Sequence, residues 1–248
     1  MLGVTEFKPF LLQLGHDDFS DFYRISARSS EISKHRPFYP HKPGGTKHSH
    51  LLSALGVTCI NDLRRKCELG FDGRKPACPV FWTLGANQVG RAAIIGWRDV
   101  IAPALCSDRP PVLWPFDGCL NDLLKPGNIV IVETYPAECY GWFFENGVNG
   151  KGKLEVRTKA SSALFKWAVE ANVNLDVALE NAIQQGFPDG DDDAFDATVG
   201  LFGMLEVLLN RRKSGEPNDE CVTKLEGWIL GQRYSVPPSN TGPSLPFK

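Results

Sequence analysis

The sequence predicts a single α/β domain over residues 1–235, followed by a disordered, Pro- and Gly-containing tail at 236–248. Two short apolar runs, at 112–116 and 128–132, have the pattern of buried strands, and the second is rich in β-branched residues. From residue 157 onward, apolar residues recur at helical spacing. A chain of 248 residues, 42% of them apolar, can bury a substantial core, and no internal repeat or clean linker divides it.

The first third of the chain combines helical patterns with one irregular segment. Segment 36–46 is rich in Pro and Gly and is predicted to be a loop. Gly56 is placed to end a helix. The predicted helices of this region lie at 5–15, 48–55, 60–69 and 85–105.

The predicted loop is both basic and aromatic. Cations beside rings such as Phe38 and Tyr39 suit single-stranded nucleic acid, because bases stack on the rings and phosphates meet the cations. An ordinary solvated loop anchored by two aromatic side chains is the alternative. The candidate phosphate contacts in the loop and in the helix predicted at 60–69 are Arg36, Lys42, Arg64 and Arg65.

Each predicted strand ends in a carboxylate, Asp117 after the first and Glu133 after the second. In an open parallel sheet, functional sites form at the carboxyl ends of the strands. Several acids that converge there need a cation, and Mg²⁺ or Mn²⁺ prefers oxygen ligands of this kind. Either acid could instead cap the helix that follows it.

The second half predicts helices at 157–173 and 175–185, and then a helix that begins with a run of acids. Residues three or four apart share one face of a helix, so Asp192 or Asp193 is expected to stand beside Asp196. A carboxylate among small and apolar residues needs a partner, and a divalent metal is one candidate. An acidic N-cap on a core helix is the other interpretation, because acids favour the positive end of a helix dipole.

Two of these segments resemble motifs of nucleases. Asp193-Ala194-Phe195-Asp196-Ala197 resembles the D-x-x-D-A of the last helix in RNase H-like nucleases, and Glu133-Thr134-Tyr135-Pro136-Ala137 resembles an E-x-x-P-A strand end in a group of uncharacterised predicted RNase H-like nucleases. Further segments resemble the same group in the same order: 36–45, 81–90, 113–118 and 226–230. Together the resemblance covers most of residues 20–232.

The resemblance implies an RNase H-like mixed sheet flanked by helices and a metal-dependent nuclease or phosphodiesterase that acts on nucleic acid. Glu133, Asp193 and Asp196 would be catalytic and would bind Mg²⁺ or Mn²⁺, with Asp117 or Asp192 as a fourth ligand. A pair of such ions activates water and stabilises the leaving oxygen.

One departure from the group gives an alternative function. The RNase H-like fold begins with a β-meander whose first strand carries an essential Asp, whereas this sequence starts with a predicted helix. The alternative is therefore a catalytically inactive nuclease-like remnant or binding module. Strand edges left open by a missing meander would invite a partner strand or a homo-oligomer. A third alternative is a regulatory protein that binds a nucleotide or other phosphorylated small molecule through Mg²⁺.

The remaining features bound the environment of the protein. No apolar run reaches the roughly 18 residues of a membrane span, and the first residues lack the pattern of a signal peptide, so no membrane partner is expected. The seven cysteines are scattered without a CxxC pair, which favours reduced thiols and a cytoplasmic protein. Neither a G-x-S-x-G elbow nor a P-loop occurs.

Overall fold

The computed structural model describes residues 3–41, 44–70, 75–85, 89–145, 147–188 and 192–233. Nine α-helices and one two-stranded sheet form within these ranges. The helices are α1 (Phe7–Gln13), α2 (His48–Leu55), α3 (Val89–Ile95), α4 (Ala102–Leu105), α5 (Leu120–Leu123), α6 (Pro136–Phe143), α7 (Leu154–Glu170), α8 (Val177–Gln185) and α9 (Asp192–Leu208). The strands are β1 (Val112–Leu113) and β2 (Val130–Ile131).

The predicted mixed sheet flanked by helices is wrong for the described residues, which are dominated by helices. β1 and β2 pair in parallel, with Val112 opposite Val130, and the other strand pairings are isolated bridges. Pairing of the first apolar run ends after Trp114, because the chain then turns and the Asp117 N–H donates to the Leu113 carbonyl. Only three residues separate the second run from Pro136, the first residue of α6.

The described residues divide into two compact units. The first runs to residue 131 and includes 217–228, and the second comprises 132–216 with 229–233. Compact units of one chain can belong to one domain or to two, so the single domain expected over residues 1–235 stays a prediction. The tail expected at 236–248 lies outside the described residues.

The first unit contains α1 to α5 and the small sheet, and it is held by aromatic and aliphatic clusters. Leu11 and Phe38 are fully buried in one cluster, and Leu51 is fully buried in another. The helix predicted at 85–105 is found in its described part as α3, a π-helical turn at Gly96–Ile101, and α4. The helix predicted at 60–69 is wrong, since this segment forms two 3₁₀ turns, at Ile60–Leu63 and Lys66–Glu68.

The second unit packs α6 to α9 around one apolar core, in which Leu164, Phe195 and Phe202 are fully buried. α8 lies where its local signals place it. The Asp176 side chain accepts the Ala178 N–H at its start, and Gly186 ends it in the left-handed conformation at φ 70°. The core therefore fixes both helices that carry the candidate site, α6 and α9.

α6 and α9 approach each other closely because α9 presents two glycines to its partner. A Cβ atom at Gly203 would lie 2.4 Å from the Cys139 sulfur, and one at Gly200 would lie 3.1 Å from Thr134. A larger residue at Gly203 would force the Cys139 side chain or the helix to move, whereas at Gly200 the Thr134 side chain would have to give only slightly. The close contact sets the distance across which side chains of α6 reach the first turns of α9.

Candidate functional site

The acids at the start of α9 meet a single cation. The Lys151 ammonium donates to Asp196 and lies 2.9 Å from Asp192 Oδ2. The Tyr140 hydroxyl, from α6, donates to the other carboxylate oxygen of Asp196. Because Asp192 and Asp196 are four residues apart, one helix turn brings both to the same face. We call Tyr140, Lys151, Asp192 and Asp196 the acid–lysine cluster.

Partial burial strengthens the electrostatics of the acid–lysine cluster. Burial lowers the pKa of Lys151, but its hydrogen bonds to Asp196 and Asp192 outweigh this effect and the net pKa is raised. The hydrogen bond from Lys151 holds the pKa of Asp192 below its ordinary value. Burial, and next the hydrogen bond to Asp196, raises the pKa of Tyr140. At neutral pH the cluster therefore contains a protonated lysine and a neutral tyrosine.

A buried arginine positions the lysine. Arg157 on α7 is only 4% exposed, and its guanidinium donates to the Lys151 carbonyl at 2.7 Å and to the Gly186 carbonyl at 2.8 Å. These bonds tie the main chain at Lys151 to the end of α8. The ammonium of Lys151 is thus presented to the acids from a fixed backbone.

The predicted metal ligands are brought together only in part. Asp192 and Asp196 share Lys151, whereas Asp193 on the same turn has an exposed side chain. Glu133 is also exposed and accepts the Leu230 N–H through its backbone carbonyl. Across the described ranges, no three or more His, Cys, Asp or Glu side chains form a group that could hold a metal ion. The described residues therefore do not fit the multi-carboxylate site that the nuclease resemblance implies.

Asp117, the remaining predicted ligand, belongs to the first unit. It forms a salt bridge with Lys8 at 2.7 Å and accepts the Leu113 N–H at 2.7 Å. This carboxylate stabilises the turn after β1, whereas the N-cap position of the following helix, α5, is occupied by Cys119.

The three predicted phosphate-binding arginines that the structure describes form salt bridges or hydrogen bonds within the first unit. Arg36 pairs with Glu31 at 3.0 Å, and Arg65 pairs with Glu68 at 2.8 Å. Arg64 donates to a main-chain carbonyl at 2.6 Å. Lys42 lies outside the described residues. These three arginines therefore have structural roles that the sequence pattern did not indicate.

Sequence reasoning missed Lys151, Tyr140 and Arg157. Lys151 lies in a Gly-Lys-Gly-Lys run, 45 residues before Asp196, with no periodic signal that connects the two. The sequence pattern places Arg157 at the start of a predicted helix and gives it no functional role. A polar residue on the apolar face of a helix beside Ala160 and Leu164 is the one local signal that marks it as buried.

No known protein family, curated protein or solved structure matches this chain. Among the described residues, the helices are too short or too polar to cross a membrane.

Proposed function

We propose that the second unit is a non-catalytic, nuclease-like binding module, in which Lys151 supplies the cation that its acidic helix requires. The observation that carries the proposal is the position of the Lys151 ammonium between Asp192 and Asp196. A divalent ion at the same carboxylates would have to displace this lysine.

The charge balance of the cluster supports the proposal. Two carboxylates and one ammonium leave a small net charge, and the Tyr140 hydroxyl satisfies a further oxygen of Asp196. Mg²⁺ is usually held by carboxylates whose charge is not already neutralised, together with waters or substrate oxygens. An acidic pair whose charge is already halved by a lysine offers less binding free energy to such an ion than two uncompensated carboxylates would.

The test is calorimetric titration of MgCl₂ and MnCl₂ into the parent chain and two variants, Asp196→Asn and Lys151→Met. If the second unit is such a module, we expect no saturable binding of Mg²⁺ or Mn²⁺ by the parent or by Asp196→Asn. We expect weak Mn²⁺ binding by Lys151→Met, because this variant leaves two uncompensated carboxylates. Circular dichroism of each variant checks that the helices are retained.

A second outcome would reverse the proposal. Saturable Mg²⁺ or Mn²⁺ binding by the parent, lost in Asp196→Asn, would favour the metal-dependent phosphodiesterase with Glu133, Asp193 and Asp196 as its ligands. Mn²⁺-dependent cleavage of single- or double-stranded nucleic acid by the parent, absent in Asp196→Asn, would have the same meaning.

The broader expectations stay predictions. The resemblance to predicted nucleases stays a prediction, because no similar protein was found that could support or refute it. Binding of nucleic acid, of a second copy of the chain or of a partner strand also stays a prediction. The cytoplasmic location is likewise a prediction from the pattern of cysteines.

A further inference from the structure

The second unit contains a cavity of about 600 Å³ beside α7. One wall is the end of α6 and the segment that follows it, and the other is a stripe of α7 from Val156 to Glu170. Its volume lies in the range of small-molecule sites, which is roughly 300–1,000 Å³. None of the four residues of the acid–lysine cluster lines it.

The walls of the cavity are partly aromatic, with polar and charged side chains at the rim. Phe143 and Phe144 line one side and are half-buried, so part of each ring faces the cavity. Ala160 and Ala163 form the opposite floor, and their small side chains leave room above the helix. Arg212 covers one face of Trp142, with 3.9 Å between the guanidinium carbon and the ring centroid, which fixes that ring at the edge of the cavity.

The rim carries two lysines on α7 and two glutamates, Glu145 and Glu170, so its charges balance, and the lysines differ in whether they are paired. Lys159 and Lys166 are seven residues apart and therefore lie two turns apart on one face of the helix. The Lys166 ammonium forms a salt bridge with Glu170, with 3.9 Å between Nζ and Oε1. Lys159 is exposed, and its ammonium forms no ion pair with any residue that the structure describes. An anionic group at the rim would therefore find an uncommitted cation at Lys159.

We propose that this cavity binds a small aromatic anion: a flat ring system that carries one carboxylate, sulfonate or phosphate group. The ring would pack between the phenylalanines and the alanine floor, where dispersion and burial favour it. The acidic group would remain at the rim beside Lys159. This proposal goes beyond the role of the acid–lysine cluster and does not depend on it.

The experiment uses a fluorescent aromatic anion, 8-anilinonaphthalene-1-sulfonate, and its uncharged analogue N-phenyl-1-naphthylamine. Both are titrated into the full chain and into Lys159→Glu, Lys159→Arg and Lys213→Glu. Lys213 is an exposed lysine of the same unit outside the cavity, so its variant is the matched charge control. Ala163→Trp fills the cavity from its floor.

The expected result is a selective loss of affinity for the anionic probe. Lys159→Glu weakens binding of the sulfonate by about 5- to 10-fold, because one surface attraction becomes a repulsion. It leaves the uncharged analogue unchanged, and Lys159→Arg retains the affinity of the parent. Lys213→Glu has no effect on either probe. Ala163→Trp abolishes saturable binding of both probes and keeps the thermal unfolding transition of the parent.

Three results would overturn the proposal. Equal weakening of both probes by Lys159→Glu would show that charge does not select the ligand. Unchanged binding in a folded Ala163→Trp variant would place the probes elsewhere. A dimer in sedimentation velocity that Ala163→Trp dissociates, with no saturable probe binding by the parent, would assign the cavity to a second copy of the chain.

Discussion

Replacing Lys151 by methionine tests the acid–lysine cluster most directly, because methionine keeps an unbranched apolar stem and removes the charge. Lys151, Asp192 and Asp196 are 31%, 32% and 24% exposed, so their ion pairs are screened by solvent. Each such pair contributes ~0.2–1 kcal/mol. Without the lysine, two like charges four residues apart on α9 cost a further ~0.2–0.5 kcal/mol. We therefore expect Lys151→Met to lower the free energy of unfolding by about 1–2 kcal/mol.

The pH dependence separates this effect from a loss of packing. The pKa of Asp192 is held below its ordinary value of 3.8, so its contribution is present above that pH and is lost as the pH falls through the lower, folded-state pKa. The pKa of Lys151 is raised above its ordinary value of 10.5, so its contribution is complete below that pH and is lost above it. The difference between parent and variant should be constant from pH 5 to about pH 9 and shrink below about pH 4.

The assay is urea unfolding followed by circular dichroism at pH 3.5, 5, 7 and 9. Lys213→Met serves as the control, because this exposed lysine has no role in the cluster and its loss should change stability by less than about 0.5 kcal/mol. The double variant Lys151→Met/Asp192→Asn should recover part of the lost stability, since it removes the repulsion. A Lys151→Met variant as stable as Lys213→Met at pH 7, or a difference that persists unchanged at pH 3.5, would refute the reasoning.

Three further predictions concern the support of the site. Gly203→Ala should destabilise the chain by about 1–3 kcal/mol in urea unfolding, because its Cβ would collide with Cys139, whereas Gly141→Ala on α6, with open space around it, should be neutral or slightly stabilising. Arg157→Leu should cost about 2–4 kcal/mol by the same assay, since it leaves buried carbonyls without donors, and a loss below 1 kcal/mol would contradict that role. Burial raises the pKa of the Cys139 thiol to about 12, so iodoacetamide at pH 8 should modify exposed Cys106 and leave Cys139 intact by mass spectrometry.

The elements with strong local signals could be predicted from the sequence. The helix expected at 175–185 is found as α8, because Asp176 and Gly186 act on their own neighbours in the chain. The helix expected at 157–173 is also found, although it runs from Leu154 to Glu170, so that both of its ends lie three residues earlier than expected. The presence of such a helix depends on apolar spacing that the linear pattern contains, and its ends are fixed by the linear pattern only where local cap residues such as Asp176 and Gly186 occur.

The sheet could not be predicted in the same way. The run at 128–132 has strong strand propensity, yet only Val130–Ile131 is paired as a strand. A strand of useful length needs a partner that stays extended, and the partner run at 112–116 leaves the ladder after Trp114, where the chain turns and the Asp117 N–H donates to the Leu113 carbonyl. Propensity reports how well a side chain fits a pleated surface and says nothing about whether a distant segment completes it.

The candidate site was also predicted only as far as local spacing determines it. Helical spacing led to the expectation that Asp192 or Asp193 stands beside Asp196, and Asp192 and Asp196 do share one partner. The identity of that partner is a tertiary fact, since the Lys151 main chain is placed by Arg157 and α8. Acids spaced along a helix therefore indicate that a cation is needed, without indicating which cation supplies it.

A lysine held in this way has an advantage over a dissolved ion. Its backbone is already fixed by Arg157, so it reaches the acids as an intramolecular partner and loses only side-chain freedom, roughly 1.5–2 kcal/mol. A free divalent ion must also give up waters, which Mg²⁺ does reluctantly. A divalent ion binds more favourably than the lysine only where additional carboxylates offset this loss of hydration. Asp192 and Asp196 are only two carboxylates. For this reason the competition between Lys151 and Mn²⁺, rather than the number of acids in the sequence, decides whether the acidic helix binds a metal.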